Sequence, residues 1–89
     1  MQTKTEPARG QTSNDRGRVL IVDDERRARE TMSLLLEDEG FETKTAANGF
    51  RALGILEEWT CDAVLTDLRM PMIDGFELID RLQQRWPEL

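Results

Sequence analysis

Short segments with strand character alternate along the chain with segments of helical period. Residues 19–22, VLIV, are continuously apolar, which is typical of a strand buried on both faces of a helix-covered parallel sheet. Residues 41–46, FETKTA, alternate weakly and predict an edge strand. Residues 62–67, DAVLTD, predict a third strand. Residues 1–17 are almost entirely polar and predict a disordered tail.

Apolar residues recur every three or four positions in three other segments, which predicts three amphipathic helices. The apolar stripe of the first helix consists of Ala28, Met32, Leu35 and Leu36. That of the second consists of Leu53, Leu56 and Trp59, with Phe50 and Ile55 nearby. The inward face of the third is predicted to hold Phe76, Ile79, Leu82 and Trp86.

Boundary residues support these helices. Asp24 is a good N-cap for the first helix, and Gly40 is expected to end it. The Asn48–Gly49 pair is compatible with a hairpin, but a helical pattern rather than a second strand follows it. Pro87 ends the third helix. The order β-α-β-α-β-α predicts an α/β fold with parallel strands and right-handed crossovers.

Composition narrows the functional classes. The 89 residues allow one domain with a marginal core, which buries roughly 60% of the unfolded surface. Residues 1–18 carry four basic and two acidic side chains, and residues 19–89 carry eight and sixteen, so the body has a net charge of −8. Such a body repels phosphates, which disfavours direct nucleic-acid binding.

Cysteine use and hydropathy favour a cytoplasmic protein. The one cysteine, Cys61, excludes an intramolecular disulfide and is interpreted as a small core residue. The N-terminus lacks the apolar region of a signal peptide. No segment approaches the roughly 20 apolar residues that span a bilayer.

Carboxylates follow two of the predicted strands. Asp23 and Asp24 come after the first strand and Asp67 after the third, so neighbouring parallel strands would bring all three to one edge of the sheet. Three close carboxylates repel one another, and Mg²⁺ bound between them would relieve the repulsion. Each aspartate alone is more simply explained as a helix cap or turn residue. Their coincidence at one edge favours a metal site.

The loop after the third strand adds to this interpretation. Pro71 fixes a backbone angle and Gly75 permits a tight entry into the third helix. Such a loop can direct a backbone carbonyl at a metal ion, and by its spacing the carbonyl of Arg69 is a candidate.

The segments VLIVDDE and VLTDLRMPMIDG, together with NGFRAL at 48–53, resemble the receiver domain of bacterial two-component response regulators over residues 18–89. The resemblance implies a flavodoxin-like fold with sheet order 2-1-3-4-5, of which this chain would form 2-1-3. It implies that Asp67 is the phosphoacceptor. Mg²⁺ would be bound directly by Asp24 and the Arg69 carbonyl and through water by Asp23. The phosphoryl donor would be a phosphohistidine of a sensor histidine kinase, which agrees with a chain that contains no histidine.

The chain departs from the family pattern at its C-terminal end. It stops at RWPEL, where the fourth strand is expected, and so lacks the Thr or Ser and the Lys that contact the phosphoryl group in the family, as well as the switch aromatic. The third strand would then be an exposed edge, which invites pairing with another chain. The hypothesis is that this segment is unstable alone or self-associates through that edge.

Other functional classes fit less well. A phosphatase or mutase with an aspartate nucleophile usually carries a second acid two residues later, where this chain has Arg69. Arg69 and Pro71 occupy spacings at which a Ca²⁺ loop needs oxygen ligands. A dinucleotide site needs glycines where VLIVDDE has acids. A non-enzymatic signalling domain is therefore favoured, and a remnant or dimerising competitor with little phosphotransfer activity is the alternative.

Overall fold

A computed structural model of the chain describes residues 16–70 and 73–89 and confirms the predicted β-α-β-α-β-α order. The strands are β1 (Arg18–Val22), β2 (Glu42–Ala46) and β3 (Ala63–Thr66). The helices are α1 (Arg26–Asp38), α2 (Gly49–Glu58) and α3 (Gly75–Arg85). The predicted disordered tail lies, up to residue 15, outside the described residues, and so does Pro71.

The three strands form a parallel sheet in the order β2-β1-β3. Ile21 of β1 is aligned with Thr45 of β2 on one side and with Leu65 of β3 on the other. The predicted order 2-1-3 is confirmed, and β1 is the central strand. Because β1 and β3 are parallel neighbours, their carboxyl ends lie at the same edge of the sheet.

The continuously apolar β1 is buried on both faces, as its pattern predicts. Leu20 and Val22 face α2 and α3, where they join the main core. The other main-core residues are Ala46, Ala52, Leu56, Trp59, Met70, Ile73, Leu78 and Leu82. Val19 and Ile21 are buried too but lie outside this cluster, on the face that α1 covers. Most of the apolar burial is therefore on one side of the sheet.

The apolar stripe of α1 is only partly covered by the sheet. No residue of α1 is buried, and Met32 and Leu35 are 38% and 57% exposed. The helix lies over β1 and β2, and Leu65 on the same face of β3 is 40% exposed. A single helix covers only part of this three-stranded face, so apolar side chains of α1 and of β3 remain exposed on it.

The predicted inward face of α3 is wrong in part. Leu82 is buried and Trp86 packs against the core as expected. Phe76 and Ile79 are however 66% and 37% exposed, and Leu78, which was not predicted, is fully buried. The buried face therefore begins at Gly75 and continues through Leu78 and Leu82, at spacings of three and four. Both stripes satisfy a helical period, and packing at the start of the helix selects between them.

Helix caps follow the sequence with one exception. Asn48 caps α2 by accepting from the Arg51 N–H at 2.8 Å, and Asp74 caps α3 by accepting from the Glu77 N–H at 2.9 Å. Asn48–Gly49 thus starts a helix rather than a hairpin. The N-cap of α1 is Glu25 and not Asp24, and no side chain caps that helix.

Cys61 is half-buried and packs against the main core, as its interpretation as a small core residue requires. Burial raises the pKa of its thiol, because the thiolate loses hydration there. Among the described residues, no helix is long and apolar enough to cross a membrane.

Candidate functional site

Three carboxylates meet at the edge of the sheet where β1 and β3 end. Asp23 and Asp24 follow Val22, the last residue of β1, and Asp67 follows Thr66, the last residue of β3. One oxygen from each carboxylate lies within 4.8 Å of the corresponding oxygens of the other two. The sequence predicts that these three side chains meet. The distances confirm it, although Asp23 and Asp67 are 44 positions apart in the sequence.

Asp23 is held in place by its backbone and its side chain together. Its N–H donates to the Ala46 carbonyl at 3.1 Å, which ties the end of β1 to the end of β2. Its Oδ1 accepts from the Glu25 N–H at 2.9 Å, and its own carbonyl accepts from Arg29 Nη1 at 3.0 Å. The half-buried carboxylate therefore has a defined direction.

Asp24 differs from its neighbour in exposure. Its side chain is exposed, and within the described residues its carboxylate makes no hydrogen bond. A carboxylate without a structural partner is available to a ligand at little expense to the fold.

Asp67 is half-buried and is fixed from two sides. Its N–H donates to the Val22 carbonyl at 3.0 Å, so the backbone pairing of β3 with β1 continues up to this residue. Its Oδ1 accepts from the Arg69 N–H at 3.1 Å, which orients the carboxylate within its own turn. The carboxylate thus lies at the sheet edge on a hydrogen-bonded backbone, close to the two aspartates that follow β1.

The loop after Asp67 is anchored by apolar side chains and by a glycine. Met70 and Ile73 are 7% and 2% exposed, and Ile73 lies against Gly49 at the start of α2. The Gly75 N–H donates to the Leu68 carbonyl at 3.3 Å. A Cβ atom at position 75 would overlap the Asp67 carbonyl oxygen and lie 2.6 Å from the Leu68 Cα. Gly75 is therefore needed for the close approach of α3 to the Asp67 turn.

The donor set fits Mg²⁺. This ion takes oxygen ligands at about 2.0–2.1 Å in an octahedron, so two ligand oxygens on one ion lie about 3 Å apart when adjacent and about 4 Å apart when opposite. The three carboxylate oxygens lie within 4.8 Å of one another, which is slightly more than the separation of two oxygens bound to one Mg²⁺. Small side-chain rotations or a bridging water would make up this difference. Carboxylates from two strand ends therefore provide a suitable partial coordination shell.

Arg69 is predicted to offer its backbone carbonyl to the metal ion, and the structure describes a contact of its N–H group. Its N–H bonds to Asp67, so the residue belongs to the turn that carries the candidate site. Its carbonyl as a metal ligand stays a prediction.

Sequence reasoning missed Arg29, which holds the backbone of Asp23 from the first turn of α1. A basic residue six positions after a strand-end aspartate was a weak indication of that contact.

Comparisons with known proteins identify relatives of this sequence and of this fold. Residues 19–89 match the family model of the response regulator receiver domain. A response regulator receiver protein of Anaeromyxobacter sp. is 43% identical over 67 residues, covering 75% of this chain and 28% of that protein. The response regulator TrrA of Thermotoga maritima, solved in complex with Mg²⁺-BeF, superimposes with a TM-score of 0.75 and 37% identity. That match covers 79% of this chain and 61% of the TrrA chain.

A second structure of TrrA contains a partner. The complex of the histidine kinase ThkA with TrrA matches with a TM-score of 0.75 and 37% identity, over 80% of this chain and 61% of the matched chain. These likenesses confirm the predicted incomplete flavodoxin-like receiver fold. The chain spans about three fifths of the matched solved chains and 28% of the Anaeromyxobacter relative.

Mg²⁺ is expected to stabilise the fold through Asp24. A ligand that binds only the folded state raises the unfolding free energy, by about 2.7 kcal/mol at one hundred times its Kd. Thermal unfolding followed by circular dichroism should shift upward with MgCl₂, and Asp24→Asn should remove most of the shift. Glu58→Gln makes the same charge change at an exposed position on α2 and should keep the full shift. Equal shifts for the two variants would contradict the assignment.

Gly75→Ala is expected to lower the unfolding free energy by about 1–3 kcal/mol, because the new methyl group overlaps the backbone of Asp67 and Leu68. Gly54→Ala is the matched control in α2, since a Cβ there meets nothing within 4 Å. That change should raise stability by about 0.5–1 kcal/mol through helix propensity. Urea denaturation of both variants measures the difference, and a neutral Gly75→Ala would refute the close approach.

Proposed function

The chain belongs to the response regulator receiver domain family, and on that premise we propose that it is a phosphoacceptor of a two-component phosphorelay, modified on Asp67 by a sensor histidine kinase. The observation that carries the proposal is the meeting of Asp67 with Asp23 and Asp24 at one sheet edge. The domain would act as a signalling module that is itself modified, rather than as an enzyme that turns over a substrate.

Asp67 is the proposed nucleophile because it combines access with orientation. Its half-buried carboxylate lies at the sheet edge, and the Arg69 N–H holds Oδ1. A carboxylate oxygen would attack phosphorus and form an acyl phosphate, while the bond from phosphorus to the donor histidine nitrogen breaks. The departing ring takes up one proton from solvent and leaves as neutral imidazole. Aspartyl phosphates are an established form of covalent catalysis.

Asp23, Asp24 and Asp67 would hold Mg²⁺, with the Arg69 carbonyl as a further proposed ligand. The bound ion would offset negative charge on the phosphoryl group and the carboxylate. The chain contributes the fixed directions of Asp23 and Asp67, through the Glu25 and Arg69 N–H groups. The TrrA structure with Mg²⁺-BeF supports this assignment by likeness.

The proposed partner is a sensor histidine kinase. The chain contains no histidine, so the phosphohistidine must come from another chain or another segment. The match to TrrA in its complex with the histidine kinase ThkA supports the same class of partner. We also propose that the protein is cytoplasmic and that this segment does not bind nucleic acid directly. The net charge of −8 over residues 19–89 supports the second point, because it repels phosphates.

Phosphorylation is tested with a small phosphodonor. Incubation with acetyl phosphate and Mg²⁺ should give a single phosphoryl adduct in the intact mass spectrum, and Asp67→Asn should abolish it. Asp80→Asn is the matched control, because Asp80 is an exposed acid on α3 outside the carboxylate cluster, and its adduct should remain. A wild-type protein without any adduct would support the remnant alternative instead.

The outer edge of β3 supports a second proposal, self-association. In the described ranges 16–70 and 73–89, β3 pairs with β1 alone, so one edge carries unpaired backbone groups. A cleft of about 290 Å³ follows this edge and is bordered by Val64, Thr66 and Ile79. Ile79 is 37% exposed and Leu65, on the opposite face, is 40% exposed. An apolar strand edge of this kind favours pairing with a second strand.

Sedimentation of the 89-residue chain is expected to show association that grows with concentration. Leu65→Lys should weaken it, because charge on an edge strand opposes strand pairing. Leu34→Lys is the control, since Leu34 is 68% exposed on α1 and the substitution is the same. A wild-type monomer at every concentration, with one cooperative unfolding transition, would rule the proposal out.

A further inference from the structure

A cleft of about 400 Å³ lies beside β2, the other edge strand, between α1 and α2. Its walls combine two arginines, a threonine and three apolar residues: Arg29, Thr45, Ala46, Ala47, Arg51 and Ile55. Among the residues that the structure describes, no carboxylate lines it. The volume falls within the range of about 300–1,000 Å³ that small-molecule sites occupy.

The charge of this cleft is opposite to that of the domain around it. Residues 19–89 carry a net charge of −8, and yet two arginines line one small cleft. Among the ion pairs of the described residues, none involves Arg29 or Arg51. Two cations that share a cleft without a carboxylate repel each other, and a bound anion would remove that repulsion.

Both arginines keep hydrogen-bond donors for a ligand. Arg29 is half-buried and uses Nη1 for the Asp23 carbonyl at 3.0 Å, which fixes the guanidinium while its other N–H groups remain. Arg51 lies in the first turn of α2, where its own N–H is bound by the Asn48 cap. The positive end of the α2 dipole adds to the attraction for an anion at this position.

We propose that this cleft binds the phosphate group of a small molecule between Arg29 and Arg51, beside the apolar surface of Ala47 and Ile55. Planar guanidinium groups match phosphate oxygens with paired N–H donors, and the Thr45 hydroxyl lies in the same lining. Arg29 connects the cleft to the carboxylate cluster through the Asp23 backbone. The binding is separate from phosphorylation of Asp67, since neither arginine belongs to that cluster.

Inorganic phosphate is the probe, in an NMR titration of the full 89-residue chain at constant ionic strength and without divalent ions. The Ala47 and Arg51 amides should shift with a common, saturable dependence. Arg51→Gln should raise the Kd by about fivefold or more, as expected for the loss of one charged hydrogen-bond donor. Arg27→Gln removes the same charge from an exposed position on α1 outside the cleft, and its Kd should stay within about twofold of wild type.

Shifts that never saturate, or an equal effect of Arg27→Gln and Arg51→Gln, would show diffuse attraction to surface charge and overturn the proposal. Arg51 is exposed, so its replacement is compatible with folding, and the dispersion of the spectrum verifies this. Asp67→Asn should keep the phosphate Kd of wild type. That variant separates this site from the phosphoacceptor, because it loses the acetyl phosphate adduct and retains the cleft.

Discussion

The parallel pairing of β1 with β3 is the constraint on which the rest of this molecule depends. Because these strands are neighbours, the backbone ladder runs directly to the Asp67 N–H, which donates to the Val22 carbonyl at 3.0 Å. The same ladder sets Asp23 and Asp24 opposite Asp67, with one oxygen of each within 4.8 Å of the others. The carboxylate cluster is therefore a product of sheet topology, and the side chains need only small adjustments to meet.

The turn that follows β3 is fixed by packing rather than by polar contacts alone. Ile73 is buried against the start of α2, and Gly75 brings α3 onto the backbone of Asp67 and Leu68. These two contacts set the direction of α3, and with it the choice of Leu78 and Leu82 as the buried side chains. The position of the candidate phosphoacceptor and the core packing of α3 thus share one structural cause.

Periodicity and strand-end carboxylates were enough to predict the element order and the meeting of Asp23, Asp24 and Asp67. The sheet order came from the family resemblance, because alternation alone does not say which strands are neighbours. The predicted inward face of α3 was wrong at Phe76 and Ile79, because two stripes fit a helical period. The contact that decides between them is the close approach of Gly75 to the backbone of Asp67 and Leu68. Sequence pattern also could not reveal that α1 leaves Met32 and Leu35 exposed, because burial depends on what covers the other side.

The uneven distribution of the core has a spectroscopic consequence. Both tryptophans of the chain, Trp59 and Trp86, lie on the side of the sheet that α2 and α3 cover. Trp59 is 8% exposed, with Arg18 and Lys44 stacked near its ring. Intrinsic fluorescence therefore reports on that layer, and the detachment of α1 from the opposite face would leave the emission almost unchanged.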